Sequence, residues 1–285
     1  MRKRLVKLVL LGVAGLALGA AGFALAGTTT LSLTYVGPEP GTLTVPWGDT
    51  LRITNVDSIS HSLISSHPEL QSGAVLPGKT FTATIAGPAR SYGYRQIGGR
   101  GYPGKLVVDF SGGRISLSGT STVGFGRAVR LSGTTSVRST PVAIEVRRTG
   151  DKHWTTLAAT VSDSSGAYAL NARLDRGGKL RATMAAGHIR STLKVVAVRP
   201  KVTGLRRGGR VIGKVDPAMA VSRLALECRA GPGRWKQIAA KRPGPTGIVS
   251  FGIRNGHGLV RVAATRKNVR DGFATQASRA LSAAC

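Results

Sequence analysis

Short segments of alternating apolar and polar residues make up most of this chain of 285 residues. Glycine or proline separates the segments about every ten residues, which is typical of turns between short β-strands. No amphipathic helical pattern of useful length follows residue 27. The alternation therefore predicts an all-β fold in which each sheet buries one face and exposes the other. A chain of this length is expected to form about two or three domains.

The first 26 residues have the three parts of a secretory signal peptide. Four basic residues lie within the first seven positions, an apolar run covers residues 8–26, and the run ends on Ala24-Leu25-Ala26. The pattern predicts a signal-peptide helix that is cleaved after Ala26. The apolar run is also long enough to span a bilayer, so a retained anchor is the alternative. Either outcome predicts an exported protein, extracellular or associated with the cell envelope.

Export makes the only two cysteines, Cys228 and Cys285, candidate partners in a disulfide. In the segment LALECR, alternation places Leu224, Leu226 and Cys228 on one face, which we expect to be the core. Cys285 follows the predicted last strand, and the last strand of a sandwich can lie close to an early one. The alternative is a buried free thiol and a separate terminal thiol.

Positive charge is concentrated in the last two thirds of the chain. Residues 27–111 contain six Lys or Arg against five Asp or Glu, residues 112–199 contain fourteen against four, and residues 200–285 contain seventeen against three. Such a field attracts polyanions. For an exported protein these would be anionic envelope polymers or lipids. The alternative is that the basic composition serves solubility alone. The chain lacks the interleaved aromatics of a single-strand groove, so no specific nucleic-acid partner is predicted.

Three segments of residues 27–111 occur in an informative order. They read TLTVPWGDTLRITNVDSISHSLIS, then SGAVLPGKTFTATI, then YGYRQIGGRGYPGKLVV. This order resembles the plastocyanin/azurin-type cupredoxins. The resemblance implies a cupredoxin-like sandwich, and it places His61 at the position of a copper ligand. It also places Gln96, Gly99 and Tyr102 where the closing loop of such a protein carries its cysteine, its histidine and its axial methionine, respectively.

The copper chemistry of that family is missing from this sequence. A blue-copper site needs two imidazoles and one thiolate, but no cysteine precedes Cys228. We therefore expect no metal and no cofactor, with His61 a vestigial ligand at the surface rim of the sandwich. The alternative is an atypical copper or zinc site that combines His61 with His67 and Glu69.

Residues 142–182 and residues 224–263 share a pattern. Trp154 precedes a turn glycine by twelve residues, and Trp235 does the same. The pattern resembles bacterial immunoglobulin-like or fibronectin-like modules, which implies two tandem β-sandwiches. Because each tryptophan repeats together with apolar neighbours, we expect both in the core, and stacking on a sugar is the alternative.

These patterns predict a signal peptide (1–26), a cupredoxin-like domain (27–111) and two immunoglobulin-like domains (112–199 and 200–285). The sequence contains no G-x-S-x-G and no H-E-x-x-H motif, so we predict no enzyme and no small-molecule substrate. The predicted function is non-catalytic binding, or a structural role, at the cell envelope or outside the cell. The alternative is a copper-binding or electron-transfer cupredoxin with an atypical site.

Overall fold

The computed structural model describes residues 27–253 and 258–282, and in these ranges the protein is all-β. Besides strands, the described ranges contain three single-turn 3-10 segments, Pro68–Leu70, Ala185–Gly187 and Ala218–Ala220. The prediction of an all-β fold is confirmed. The predicted signal peptide lies outside the described residues. Within them, no helix has the length and apolar character needed to cross a membrane.

The strands between residues 28 and 109 form two sheets. They are β1 Thr28–Leu33, β2 Pro38–Glu39, β3 Thr42–Pro46, β4 Thr50–Asn55, β5 His61–Ser65, β6 Gly73–Val75, β7 Thr80–Thr84, β8 Ser91–Ile97 and β9 Pro103–Asp109. One sheet has the order β2-β1-β4-β7 and the other the order β3-β9-β8-β5-β6. Alternate aliphatic side chains from both sheets fill the space between them, among them Leu33, Ile53 and Leu106, each with no exposed surface.

The strands between residues 118 and 199 form a second pair of sheets. They are β10 Ser118–Gly119, β11 Thr122–Gly124, β12 Ala128–Thr134, β13 Pro141–Arg148, β14 Thr155–Val161, β15 Ala167–Arg173, β16 Gly178–Met184, β17 Ile189–Arg190 and β18 Lys194–Arg199. The small sheet has the order β10-β12-β15. The large sheet has the order β11-β18-β16-β13-β14, and β17 adds to β16.

The strands between residues 201 and 282 form a third pair. They are β19 Lys201–Arg207, β20 Arg210–Asp216, β21 Leu224–Arg229, β22 Lys236–Lys241, β23 Ile248–Gly252, β24 Leu259–Ala264, β25 Gln276–Ala277 and β26 Leu281–Ser282. The small sheet has the order β19-β20-β23, and the large sheet has the order β22-β21-β24-β25, with β26 on β24. The hairpins β13-β14 and β21-β22 both carry a register shift immediately before a glutamate, Glu145 or Glu227.

Side chains cross both junctions between the sheet pairs. Met184 and Ile189, from the second pair, are buried in the core cluster of the first, and the His188 ring stacks on Phe110 at 4.6 Å. At the other junction, the backbone of Val198 exchanges hydrogen bonds with Gly272 and with Ala274, at 3.0 and 2.8 Å. The three sheet pairs are therefore packed against one another rather than joined by linkers alone.

The prediction that Trp154 and Trp235 belong to the core is wrong. Both side chains are only partly buried and lie outside the core clusters. The strand register gives the reason. Thr155 pairs with the inward Val146, and Lys236 pairs with the inward Cys228. Because side chains alternate along a strand, the residue before each of them faces outward.

Cys228 is 6% exposed and packs in the core, as the alternation predicted. It pairs with Val260 across β21-β24, and Val260 pairs with Leu281 across β24-β26. Two strand spacings are about 10 Å, a distance that the four residues from Leu281 to Cys285 can span. No described cysteine is free. Cys285 lies outside the described residues, so its bond to Cys228 stays a prediction.

We predict that the protein purified from an oxidising compartment has no alkylatable thiol after unfolding without reductant. Intact mass spectrometry after alkylation in denaturant measures this. Reduction should lower the free energy of unfolding by about 4 kcal/mol, because the bridge restricts the unfolded chain. The variant Cys285→Ser, which should show one alkylatable thiol, is the control. Two alkylated cysteines in the unreduced wild type would contradict the bridge.

Candidate functional site

His61 begins β5 in the first sheet pair and follows a loop that Asn55 organises. The buried Asn55 amide donates to the carbonyl oxygens of Ile59 and Val75, at 2.7 and 2.8 Å. Its side-chain oxygen accepts from the backbone N–H of Asp57 at 2.9 Å. These bonds satisfy a fully buried amide and hold the loop in one conformation. The loop in turn positions Asp57 beside His61.

His61 is 1% exposed, so its expected place at the surface rim of the sandwich is wrong. Its Nε2 lies 2.9 Å from Asp57 Oδ2, and its Nδ1 lies 3.0 Å from Gln96 Nε2. Gln96 is fully buried in β8, and its Nε2 also donates to the carbonyl oxygen of Thr34 at 2.6 Å. The ring is inside because both of its nitrogens have partners there, which removes the cost of burying them.

The hydrogen bonds fix the tautomer of His61. The Thr34 carbonyl can only accept, so the nitrogen of the Gln96 amide must face it. The same nitrogen donates to His61 Nδ1, and the imidazole proton therefore resides on Nε2, which donates to Asp57. The hydrogen bond from His61 lowers the pKa of the Asp57 carboxyl below its usual value, as does the bond from the Ser58 backbone.

The residues around His61 do not fit a blue-copper centre. Neither ring nitrogen presents a free lone pair, and Gln96, at the expected thiolate position, directs an amide nitrogen at Nδ1. Gly98 closes the site with its backbone at a φ of +99°, and a Cβ there would meet Nδ1 at 2.6 Å. Tyr102, at the expected axial position, is 49% exposed.

The alternative set of His61, His67 and Glu69 is not brought together as a metal site. The described residues contain no group of three His, Cys, Asp or Glu side chains with metal-binding geometry. The ring of His67 instead makes an edge contact with Tyr92, at 4.2 Å between centroids. Burial, together with the nearby Glu69 carboxylate, raises the pKa of the Tyr92 hydroxyl to about 12.

We predict that Gln96→Met lowers the free energy of unfolding by about 1–3 kcal/mol, because it leaves the His61 Nδ1 and the Thr34 carbonyl without a donor. Methionine has a similar volume, so the packing term is small. Urea unfolding followed by circular dichroism measures the loss. The control is Gln276→Met at a partly exposed position, which should change little. A Gln96→Met variant as stable as the wild type would show that the network contributes nothing.

We also predict that the protein stays colourless with Cu(II). Copper–thiolate sites of the blue type absorb intensely at about 600 nm, and no thiolate accompanies His61. An absorption titration of the full-length protein at neutral pH, with and without prior reduction, makes the measurement. An intense band near 600 nm would contradict the proposed loss of the copper site.

A second constellation occurs twice, on the outer faces of the two large sheets. Arg181 Nε lies 2.6 Å from Glu145 Oε2, and the Arg181 guanidinium lies 4.1 Å from the Trp154 ring centroid. Arg147 contacts the same ring at 5.2 Å. Trp154 therefore packs on the Arg181 guanidinium, which Glu145 binds from the neighbouring strand. These contacts account for the outward position of the tryptophan without a ligand.

The third sheet pair repeats these contacts at similar distances. Arg261 Nε lies 2.8 Å from Glu227 Oε2 and its guanidinium 4.3 Å from the Trp235 ring, while Arg229 contacts that ring at 5.0 Å. Sequence reasoning aligned the two tryptophans but missed the arginines. The signal was present in the segments LRAT and VRVA, which place an arginine at the same point of each repeat.

The acidic residues of the second and third sheet pairs are largely engaged by arginine. Besides Glu145 and Glu227, Asp175 binds Arg148 at 2.8 Å and Asp151 binds Arg176 at 2.9 Å. Most of the 31 Lys and Arg between residues 112 and 285 thus make no ion pair with a described carboxylate. Their charge faces solvent.

Comparisons with known proteins give no family. No protein-family model and no curated protein matches the chain. Among solved structures, a mutant fern plastocyanin is 18% identical, with a TM-score of 0.24, and the match covers 28% of this chain and all of that one. A purple cupredoxin from Nitrosopumilus maritimus is 21% identical, with a TM-score of 0.23 and 28% and 98% coverage.

A tetra-tandem repeat from the extending region of a large adhesion protein covers more of this chain. The match spans 90% of this chain and 74% of that one, at 16% identity and a TM-score of 0.33. At these scores the likenesses assign neither a family nor a ligand. The similar structures thus include cupredoxins, and the immunoglobulin-like assignment of residues 112–285 stays a prediction.

Proposed function

We propose that this chain is an exported, non-catalytic binding protein whose contact surface lies in residues 112–285. The observation that carries the proposal is the charge of this range, in which 31 basic residues stand against seven acidic ones. Four of the seven carboxylates already bind arginine. The excess positive charge is therefore not balanced within the protein and attracts anions from solution.

The partner chemistry is a surface or polymer rich in phosphate or carboxylate groups. The predicted signal peptide supports an envelope or extracellular location, where such anions occur as polymers and as lipid headgroups. The first sheet pair is nearly neutral, and both ring nitrogens of His61 have hydrogen-bond partners within it. We therefore assign this pair a structural role, packed on the second pair. The competing explanation is that the basic residues serve solubility alone. A binding surface requires the charge at particular positions, whereas solubility does not.

We predict that the full chain without its signal peptide binds long-chain polyphosphate and that the affinity falls steeply with salt. For about four phosphate contacts, the affinity should fall about 50-fold between roughly 50 and 200 mM NaCl, because binding releases counterions. Fluorescence anisotropy with labelled polyphosphate measures it.

Two variants with equal loss of charge separate binding from composition. One removes exposed charges of the second pair by changing Arg127, Arg130, Arg173 and Arg199 to Gln. The other changes Arg52, Lys79, Arg90 and Lys105 of the first pair to Gln. The first variant should bind about tenfold more weakly than the second, since roughly two of the four phosphate contacts are lost. Equal weakening in both, or no binding by the wild type, would contradict a located contact surface.

A further inference from the structure

The outer face of the small sheet β19-β20-β23 combines apolar and basic side chains in one plane. Leu205 lies directly opposite Ile212, and Ile248 lies opposite Lys214 in the adjoining row. Leu205 is 61% exposed and Ile248 is 47% exposed. Ile212 is half-buried and lies diagonally beside Ile248, so it links Leu205 and Ile248 into one apolar centre on the outer face. No described segment covers it.

Basic residues border this apolar centre at both ends. Arg207 and Arg210 face each other across the two-residue turn of the β19-β20 hairpin, and Lys214 and Lys201 lie toward the other end. All four are exposed. The apolar centre and these four basic residues are called the hairpin face below. Asp216, opposite Lys201, is the one acidic residue in these rows of the described strands. The four basic residues outnumber it, so the hairpin face is cationic.

The arginine pair at the turn is unfavourable in the isolated protein. Like charges directly opposite each other on neighbouring strands destabilise a sheet. Arg210 donates to the Ser250 hydroxyl at 2.7 Å, but neither Arg207 nor Arg210 forms an ion pair with a described carboxylate. An anionic partner would relieve the repulsion and pair with both guanidinium groups.

We propose that the hairpin face docks on an anionic lipid bilayer. Leu205 and Ile248 would enter the interface between headgroups and acyl chains, while the four basic residues would contact headgroup phosphates. A water-soluble polyanion would satisfy the charges but leave the apolar centre exposed. A second copy of the chain would cover the apolar centre but set cationic faces against each other. A bilayer with anionic headgroups complements both features of the face.

The small sheet of the second pair provides an internal comparison. Its outer face carries Arg130 opposite Asn171 and Arg173 opposite Ala128, with Ser132 opposite Ala169. It is basic but has no large apolar side chain. Both faces therefore belong to a three-stranded sheet and carry positive charge. They differ in the large aliphatic side chains that would contact acyl chains. The inference rests on the proposed function, because both need the basic residues of 112–285 to meet anions.

The test is sedimentation of the signal-free chain with vesicles of equimolar phosphatidylglycerol and phosphatidylcholine, beside vesicles of phosphatidylcholine alone. We expect binding to the anionic vesicles, with part of the binding retained at about 200 mM NaCl because the apolar contacts are not screened. Arg207→Gln with Arg210→Gln should weaken the binding about 25-fold, since each basic residue near an anionic leaflet contributes roughly fivefold.

Leu205→Ser with Ile248→Ser should remove the binding that persists at the higher salt and leave binding to polyphosphate unchanged. Arg52→Gln with Lys79→Gln is the charge-matched control and should leave vesicle binding within about twofold, since these exposed residues lie in the first sheet pair, away from the apolar contact. Circular dichroism melting confirms that these surface variants are folded.

Each outcome separates this inference from the proposed function. Unchanged vesicle binding after Leu205→Ser with Ile248→Ser overturns the docking face. Equal losses from the Arg207/Arg210 and the Arg52/Lys79 variants overturn it as well. Binding to polyphosphate without binding to vesicles overturns the lipid partner but keeps the polyanion function. Binding to neither overturns both. Concentration-dependent dimers that disappear in the Leu205/Ile248 variant would assign the face to a second copy instead.

Discussion

Burial of one aliphatic face per sheet is the constraint on which the rest of this structure depends. The six sheets pair because each has one apolar face, and the cores do not stop at the boundaries between pairs. Met184 and Ile189 pack into the first core, although they belong to the second pair. Val198 bonds to the backbone of the third pair. As a consequence, neighbouring sheet pairs share buried contacts, and the charged side chains lie on the outward faces.

The interior of the first pair contains a polar exception to this rule. His61, Gln96 and Asn55 are buried, and hydrogen bonds connect His61 to Gln96 and, through Asp57, to Asn55. The network is not fully satisfied, because Gln96 Oε1 is buried without a partner. An unpaired buried oxygen costs free energy. Both ring nitrogens of His61 are engaged in hydrogen bonds and are therefore not available to a metal ion. In this structure the polar groups hold the conformation of the loop of residues 55–61 instead.

Alternation predicted the fold class, the inward position of Cys228 and the repeat, because each depends on local periodicity. The expectations for His61 and for the two tryptophans failed, because the positions of these side chains depend on partners in other strands. His61 is buried because Gln96, 35 residues away, meets its ring. Trp154 faces outward because of its register against β13. Sequence periodicity shows which residues lie on the same face of a strand. Strand pairing decides whether that face points into the core or outward, and which side chains pack on it.

The second and third sheet pairs share the contacts of their large sheets and differ on the outer faces of their small sheets. Both keep the register shift, the glutamate, the cross-strand arginine and the tryptophan above it, since these contacts hold the large sheets together. Their small sheets differ: Ser132 and Ala169 occupy one outer face, while Leu205 and Ile212 occupy the other. Leu205 and Ile248 are largely exposed and contribute little to the core beneath them. Their presence in one repeat alone supports the proposed contact with a bilayer, which the shared fold does not require.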